Sequence, residues 1–158
     1  MENTTKDNGA CQHETLVSGS KLRITDLRIG NFVTWIDDEE EPEAYRHLIV
    51  NGLFSNETIH IQSKWEHGDG EEMYCGLEYI KPIPITHKWL EWMGFEKIGK
   101  YYYLLDCYIK IEPLKDGRCA FRYGINTSYS VVIGFARYVH QIQNVLFSLT
   151  GEELKLDR

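Results

Sequence analysis

The 158-residue chain is 42% hydrophobic, 26% charged and 13% aromatic, with thirteen Gly and four Pro, which suits one ordinary globular core, or two very small ones, and excludes a disordered tail. No window approaches the roughly 18 consecutive apolar residues of a membrane helix, and a formal net charge of -7 argues against a protein that binds mainly by neutralising phosphates. Cys11, Cys75, Cys107 and Cys119 form no C-x-x-C pair, so free thiols are expected, and residues 1–20 lack the basic start and apolar stretch of a secretory signal, which predicts a cytoplasmic protein.

Residues 1–21 are polar, with Leu16 and Val17 the only sizeable apolar side chains, and read as a flexible arm. From Leu22 to Ile36 apolar residues recur with partial alternation around a Gly30-Asn31 turn, which predicts a strand opening a β-rich unit. Residues 37–43 hold six acids and Pro42, and repulsion between like charges makes them a solvated loop. Three strands are expected next, at 45–50, 58–63 and 76–80, punctuated by Asn51-Gly52, Asn56 and a turn at Gly68-Asp69-Gly70.

Pro82-Ile83-Pro84 is restricted to extended backbone and reads as the connector between two halves. Thr86 is positioned to cap a two-turn helix through Trp89, Leu90 and Met93, stopped at Gly94. Strands are then predicted at 101–105, 108–112 and 119–125, with an Asp116-Gly117 hairpin between the last two. Phe135, Val139, Ile142, Val145, Leu146 and Leu149 recur at spacings of three and four, the apolar face of a final helix ended by Gly151. On that assignment Leu149→Ala costs about 2 to 4 kcal/mol. The expected fold is α+β: a small antiparallel, SH3-like barrel unit over 22–81, then helix, three-stranded sheet and C-terminal helix over 82–158.

Charge is shared unevenly. Residues 21–81 hold six Lys/Arg against thirteen Asp/Glu, and residues 82–158 hold ten against eight, so acidic surface belongs to the first half. Its densest part, Asp37, Asp38, Glu39, Glu40, Glu41 and Glu43, is a candidate partner-binding stretch, because a row of carboxylates can imitate nucleic-acid phosphates for a basic protein. The ordinary alternative is a solvated loop. In the second half Lys100, Tyr101, Tyr103, Lys110, Arg118 and Arg122 interleave cations with aromatic rings, the pattern of a single-stranded nucleic-acid platform. Alternation equally allows half of the rings to be core, and it turns Phe121 and Tyr123 inward.

Phosphate-binding loops, dinucleotide fingerprints, metalloprotease helices and nucleophile elbows are absent from the sequence, and no cofactor is implied. His60, His67 and Cys75 are the nearest approach to a metal set, but their spacing matches no closed structural site, and two surface histidines with a small buried thiol is the simpler reading. Cys107 or Cys119 with His140 is the one nucleophile–base combination to weigh. His140, Gln141, Gln143 and Asn144 on the final helix read as solvated or helix-packing groups.

Three phrases, LRIGNFV at 27–33, PIPITHKWLEWMGFEK at 82–97 and YVHQIQNVLFSLTGEEL at 138–154, together resemble a family of small uncharacterised proteins of bacteriophages, prophages and mobile elements of Bacteroidetes. The likeness covers most of the chain from Leu22. The polar arm and the acidic insert depart from it. It brings no catalytic residues. What it implies is a setting, a bacterial host cell, in which small non-enzymatic phage proteins bind a host protein. The expected function is therefore a binding protein, in its narrowest form an inhibitor of a host defence nuclease or ribonucleoprotein such as a CRISPR effector. The alternative is a nucleic-acid-binding accessory protein of replication or packaging, using the tyrosine-rich sheet.

Overall fold

In the computed structural model, which describes residues 22–36, 47–65, 68–104, 108–124, 129–154 and 156, the chain is α+β, with two five-stranded sheets and two helices. All strand pairs are antiparallel. The first sheet comprises β1 (Phe32–Trp35), β2 (His47–Leu53), β3 (Thr58–Trp65), β4 (Gly68–Gly76) and β5 (Ile80–Pro82). Val33, Leu48, Val50, Ile59 and Ile61 alternate onto one face and form its core with Leu22, Leu27, Leu77 and Ile80. Its strand order is β4-β3-β2-β1-β5. No pairing joins the two edge strands among the described residues, so the sheet is open where barrel closure was expected.

Several local expectations are corrected. Residues 22–30 form no strand: Ile24–Asp26 is a 3-10 turn held by the Asp26 carboxylate, which accepts from the Arg23 backbone N–H and guanidinium. The strand placed at 76–80 is a second 3-10 turn, Leu77–Tyr79, followed by β5. The strand that precedes it, β4, begins at the glycines read as a turn. An edge strand tolerates glycines and acids because only one side of it is paired. Pro82 likewise sits in an edge strand, opposite Val33.

The second half starts with α1 (His87–Trp92), where Thr86 Oγ1 accepts from the Trp89 N–H at 3.3 Å and Gly94 at φ +80° releases the chain. A meander follows, β6 (Glu96–Ile98), β7 (Tyr101–Leu104), β8 (Ile109–Pro113), β9 (Cys119–Tyr123) and β10 (Val131–Ala136), before α2 (Val139–Thr150). The sheet thus has five strands where three were expected. Phe135, assigned by spacing to the final helix, lies in β10. The strand-to-helix switch is made by Gln141, whose Oε1 accepts from the N–H groups of Arg137 and Tyr138.

Both helices cover one face of this sheet. Trp89, Leu90 and Met93 from α1 and Val139, Ile142 and Leu146 from α2 pack with Tyr102, Ile109, Ile111 and Phe121. Phe32 of β1 belongs to the same cluster, so the first sheet contributes a side chain to the second core. Polar contacts reinforce this joint. Gln143, buried on α2, accepts from the Phe32 N–H at 2.8 Å and donates to the Gly30 carbonyl at 3.0 Å. Its neighbour Asn144 accepts from the Asn31 side chain at 2.8 Å and donates to the Asp26 carbonyl at 3.1 Å. Outside them Arg28 pairs with Glu153 and lies 3.8 Å over the Phe147 ring.

Gly30 is needed there for its φ of +88°; a Cβ would also stand 2.8 Å from the end of the Glu153 side chain, which would have to move aside. Leu149, by contrast, is 52% exposed: the last turn of α2 runs past the core, and Gly151 ends it with an N–H to the Phe147 carbonyl.

Chemical unfolding of three variants checks this account. Gln143→Ala strands a buried N–H and a buried carbonyl and is expected to cost about 2 to 4 kcal/mol. Leu146→Ala should cost about 2 to 5 kcal/mol, and Leu149→Ala less than about 1 kcal/mol. Equal losses for the two leucines would contradict the position of the helix.

Candidate binding surface

With both helices on one side, the opposite face of the second sheet is covered by no helix among the described residues. Ile109 and Ile111 of β8 point into the core, so Lys110 and Glu112 point away from it. Register extends this row: Tyr103 of β7 lies opposite Lys110, and Lys110 lies opposite Arg122 of β9. Tyr101, two residues from Tyr103, shares its side and makes an edge contact with it, with ring centroids 6.1 Å apart. The structure therefore gathers Tyr101, Tyr103, Lys110 and Arg122 on one face, with Lys100 at the adjoining turn.

Glu112 organises the charges. Its Oε1 accepts from Lys100 Nζ at 2.7 Å and its Oε2 from Arg122 Nε at 2.9 Å. These two cations hold its carboxyl below the usual range, Lys100 contributing most. Lys100 also stands 4.8 Å from the Tyr101 ring centre. Lys110 stands 4.9 Å from the same ring centre, yet its ammonium is buried without a hydrogen-bond partner among the described residues. Arg118 lies apart at the β9 end of the hairpin, paired with Asp116 at 2.7 Å and 5.0 Å over Phe135. Most of the cations that the sequence offers to nucleic acid are thus already engaged by carboxylates of the same chain.

The rim of this face is apolar. Ile98 is paired opposite Tyr101 in β6, while Val132 and Phe135 of β10 sit opposite Arg122 and Ala120. All three are exposed, Phe135 by 55%. The sequence reading missed them because Phe135 fits a helical period as well as a strand period, and because a bulge between Val132 and Gly134 interrupts the alternation. Tyr123, expected inward, is half exposed at the end of β9, beyond the last buried position, Phe121. The acidic residues Asp37, Asp38, Glu39, Glu40, Glu41 and Glu43 lie outside the described residues, as do the arm, Cys107 and His67.

The other candidate constellations do not assemble. His60 stacks on Tyr74, centroids 4.6 Å apart, and lies 3.4 Å from Glu72. Cys75 pairs opposite the neighbouring residue Ile59, which turns it to the opposite, core-facing side. No group of three or more His, Cys, Asp or Glu able to hold a metal ion occurs among the described residues. Burial pushes the Cys119 thiol up to about 11, which keeps it protonated and unreactive. No hydrogen bond joins His140 to that sulfur among the described residues, and His140 Nδ1 has no partner there. No described helix is long and apolar enough to cross a membrane.

Neither a protein-family model, a curated protein nor a solved structure matches the chain. The three phrases noted in the sequence lie in contact in the structure. Residues 27–33 are held by Gln143 and Asn144 of the third phrase. Ile83 and Ile85 of the second exchange backbone hydrogen bonds with Val139 and Arg137, flanking a Pro84–Tyr138 bridge. All three phrases meet at one joint, on the far side of the second sheet from the tyrosine–lysine face.

His140 supplies a pH test of that joint. Burial pushes its imidazole down to about 4, against a smaller upward pull from Asp26. An unfolded imidazole titrates near ~6.5, so between about 6.5 and 4 the unfolded chain takes up a proton that the folded one refuses. This contribution is intact above that window and is lost as pH falls through it. Unfolding by urea at pH 7 and pH 4.5 should show a loss of about 2 to 3 kcal/mol that His140→Phe largely abolishes. The same loss in the variant would contradict a buried neutral imidazole.

Proposed function

We propose that the chain is a non-enzymatic binding protein whose contact surface is the outer face of the second sheet, and that its partner is a protein of a bacterial host. The observation that carries this reading is the combination on one open face of tyrosines, an arginine, internally paired charges and an exposed apolar rim of Ile98, Val132 and Phe135. Protein interfaces are enriched in Tyr and Arg, and exposed apolar side chains grouped beside them are surface that a partner can cover. The rim ends at β10, an edge strand with exposed apolar side chains and no charge along its length, a feature that partner proteins use for docking.

The phage and mobile-element setting suggested by the three phrases supports a host-protein target in the cytoplasm, narrowed to a defence nuclease or its ribonucleoprotein. In that narrower form Asp37 to Glu43 supply a second, acidic contact to a basic channel. The first half reads as an SH3-like unit, a reading supported by the 3-10 turn that links β4 to β5 and by the placement of β5 beside β1. A second reading, single-stranded nucleic acid on the same face, is favoured by one observation: Tyr101, Tyr103, Lys110 and Arg122 share that face, with Lys100 at its edge.

Affinity purification from a Bacteroidetes lysate, with and without nuclease treatment, separates the two. The first reading expects a stoichiometric protein that survives nuclease and is lost with Phe135→Asp, an exposed substitution that leaves folding intact. Retention of that protein by the variant would overturn the surface. Recovery of bulk nucleic acid sensitive to nuclease, with steep salt dependence, would replace the first reading by the second.

A further inference from the structure

We infer that the outer face of the second sheet holds a binding site for one phosphate group, built from Lys110, Lys100 and Arg122 beneath the Tyr101 ring. Lys110 carries the inference. It sits in the middle of β8 between Tyr103 and Arg122, is 2% exposed, and its ammonium has no hydrogen-bond partner among the described residues.

A buried ammonium compensated only by an aromatic face gains part of what it loses on leaving water. Among the described residues Glu112 is engaged by Lys100 and Arg122 rather than by Lys110, and Glu96 stands across β7, opposite Tyr103. Three cations therefore stand against Glu112 and, one strand further out, Glu96, which leaves a local surplus of one positive charge beside the unpaired ammonium.

A ligand that balances this surplus carries one or two negative charges and presents acceptor oxygens in several directions. Phosphate does so, whereas a carboxylate offers two coplanar oxygens. Tyr101 is the cover: both lysine ammonium groups lie just under 5 Å from its ring centre. The ring is half-buried and next to the Gly99–Lys100 turn, where a Cβ on Gly99 would meet nothing within 4 Å. Rotation of Tyr101 about χ1 uncovers Lys110 and lets an oxyanion take the place of the ring.

Two sources share this chemistry, a free phosphate compound and the backbone of a single strand. The site deepens the second reading of function if the source is a strand, with Tyr101 and Tyr103 then available for base stacking. It stands without that reading if the source is a small phosphate.

The test is a backbone amide NMR titration of the full chain at low ionic strength with inorganic phosphate, a nucleoside monophosphate and an oligothymidine. Saturable shifts centred on Tyr101, Lys110 and Arg122 are expected, with affinity reduced about tenfold or more in Lys110→Met. Tyr101→Ala should strengthen inorganic phosphate binding by removing the cover and weaken the oligothymidine by removing a stacking surface. Binding of the oligothymidine much tighter than the two small ligands assigns the site to a strand, and similar affinities assign it to a small phosphate. Should Lys110→Met fail to fold, Arg122→Gln provides the same comparison. Absence of saturable shifts, shifts confined to other parts of the chain, or unchanged affinity in the variant overturns the site. Because the probe is phosphate itself, the result does not depend on whether a protein partner is captured.

Discussion

The carboxamide of Gln143 is the contact on which the arrangement of this molecule depends. It reaches from α2 to both sides of the backbone at the start of β1, accepting from Phe32 and donating to Gly30. Inside a core, a hydrogen-bonded amide is worth more for orientation than for net energy, because every alternative packing strands its polar atoms. Asn144 repeats the device one residue on, reaching Asn31 and Asp26. With α2 pinned in this way, Phe32 enters the cluster beneath the helix and the two sheets acquire a common support.

That support decides what is left outside. Since α1 and α2 occupy the same face of the second sheet, the other face is covered, among the described residues, by no helix. There the chain places tyrosines, a buried lysine, a carboxylate shared by two cations and an apolar rim. None of these groups is needed to bury the core, which Tyr102, Ile109, Ile111 and Phe121 already fill from the other side. The fold thus separates its work by strand parity: one set of positions holds the molecule together, and the alternate set is available to a partner.

Much of the second half was legible from sequence. Thr86 and Gly94 bracket α1 because capping chemistry is local, and of the candidates Lys100, Tyr101, Tyr103, Lys110, Arg118 and Arg122, register gathers four on one face, with Lys100 at the adjoining turn and Arg118 apart beside Asp116. The failures have physical reasons. Phe135, Val139 and Ile142 share spacings that fit a helix, and only the Gln141 cap and the β9 partner reveal that the first of them is in a strand. Leu149 continues the apolar stripe but outruns the surface it would pack against. Gly68 and Gly70 signal a turn in isolation, yet Gly68 pairs with Trp65 of β3 and Gly70 falls at a register shift within the same edge strand. Gln143 and Asn144 read from sequence as solvated or helix-packing groups, and their partners lie more than a hundred residues away, so no local pattern chooses between the two. Glu112, the organiser of the cationic face, was read simply as the end of a strand.

The central claim is that α2 makes the two sheets one cooperative structure, with the tyrosine–lysine face as its free surface. Native-state hydrogen exchange at increasing denaturant tests it most directly, because it resolves the opening energy of each strand separately. The account predicts that the slowest amides of β1 to β3 and of β7 to β9 converge on one opening free energy. Two separate plateaus, with the first sheet opening while the second stays protected, would contradict it.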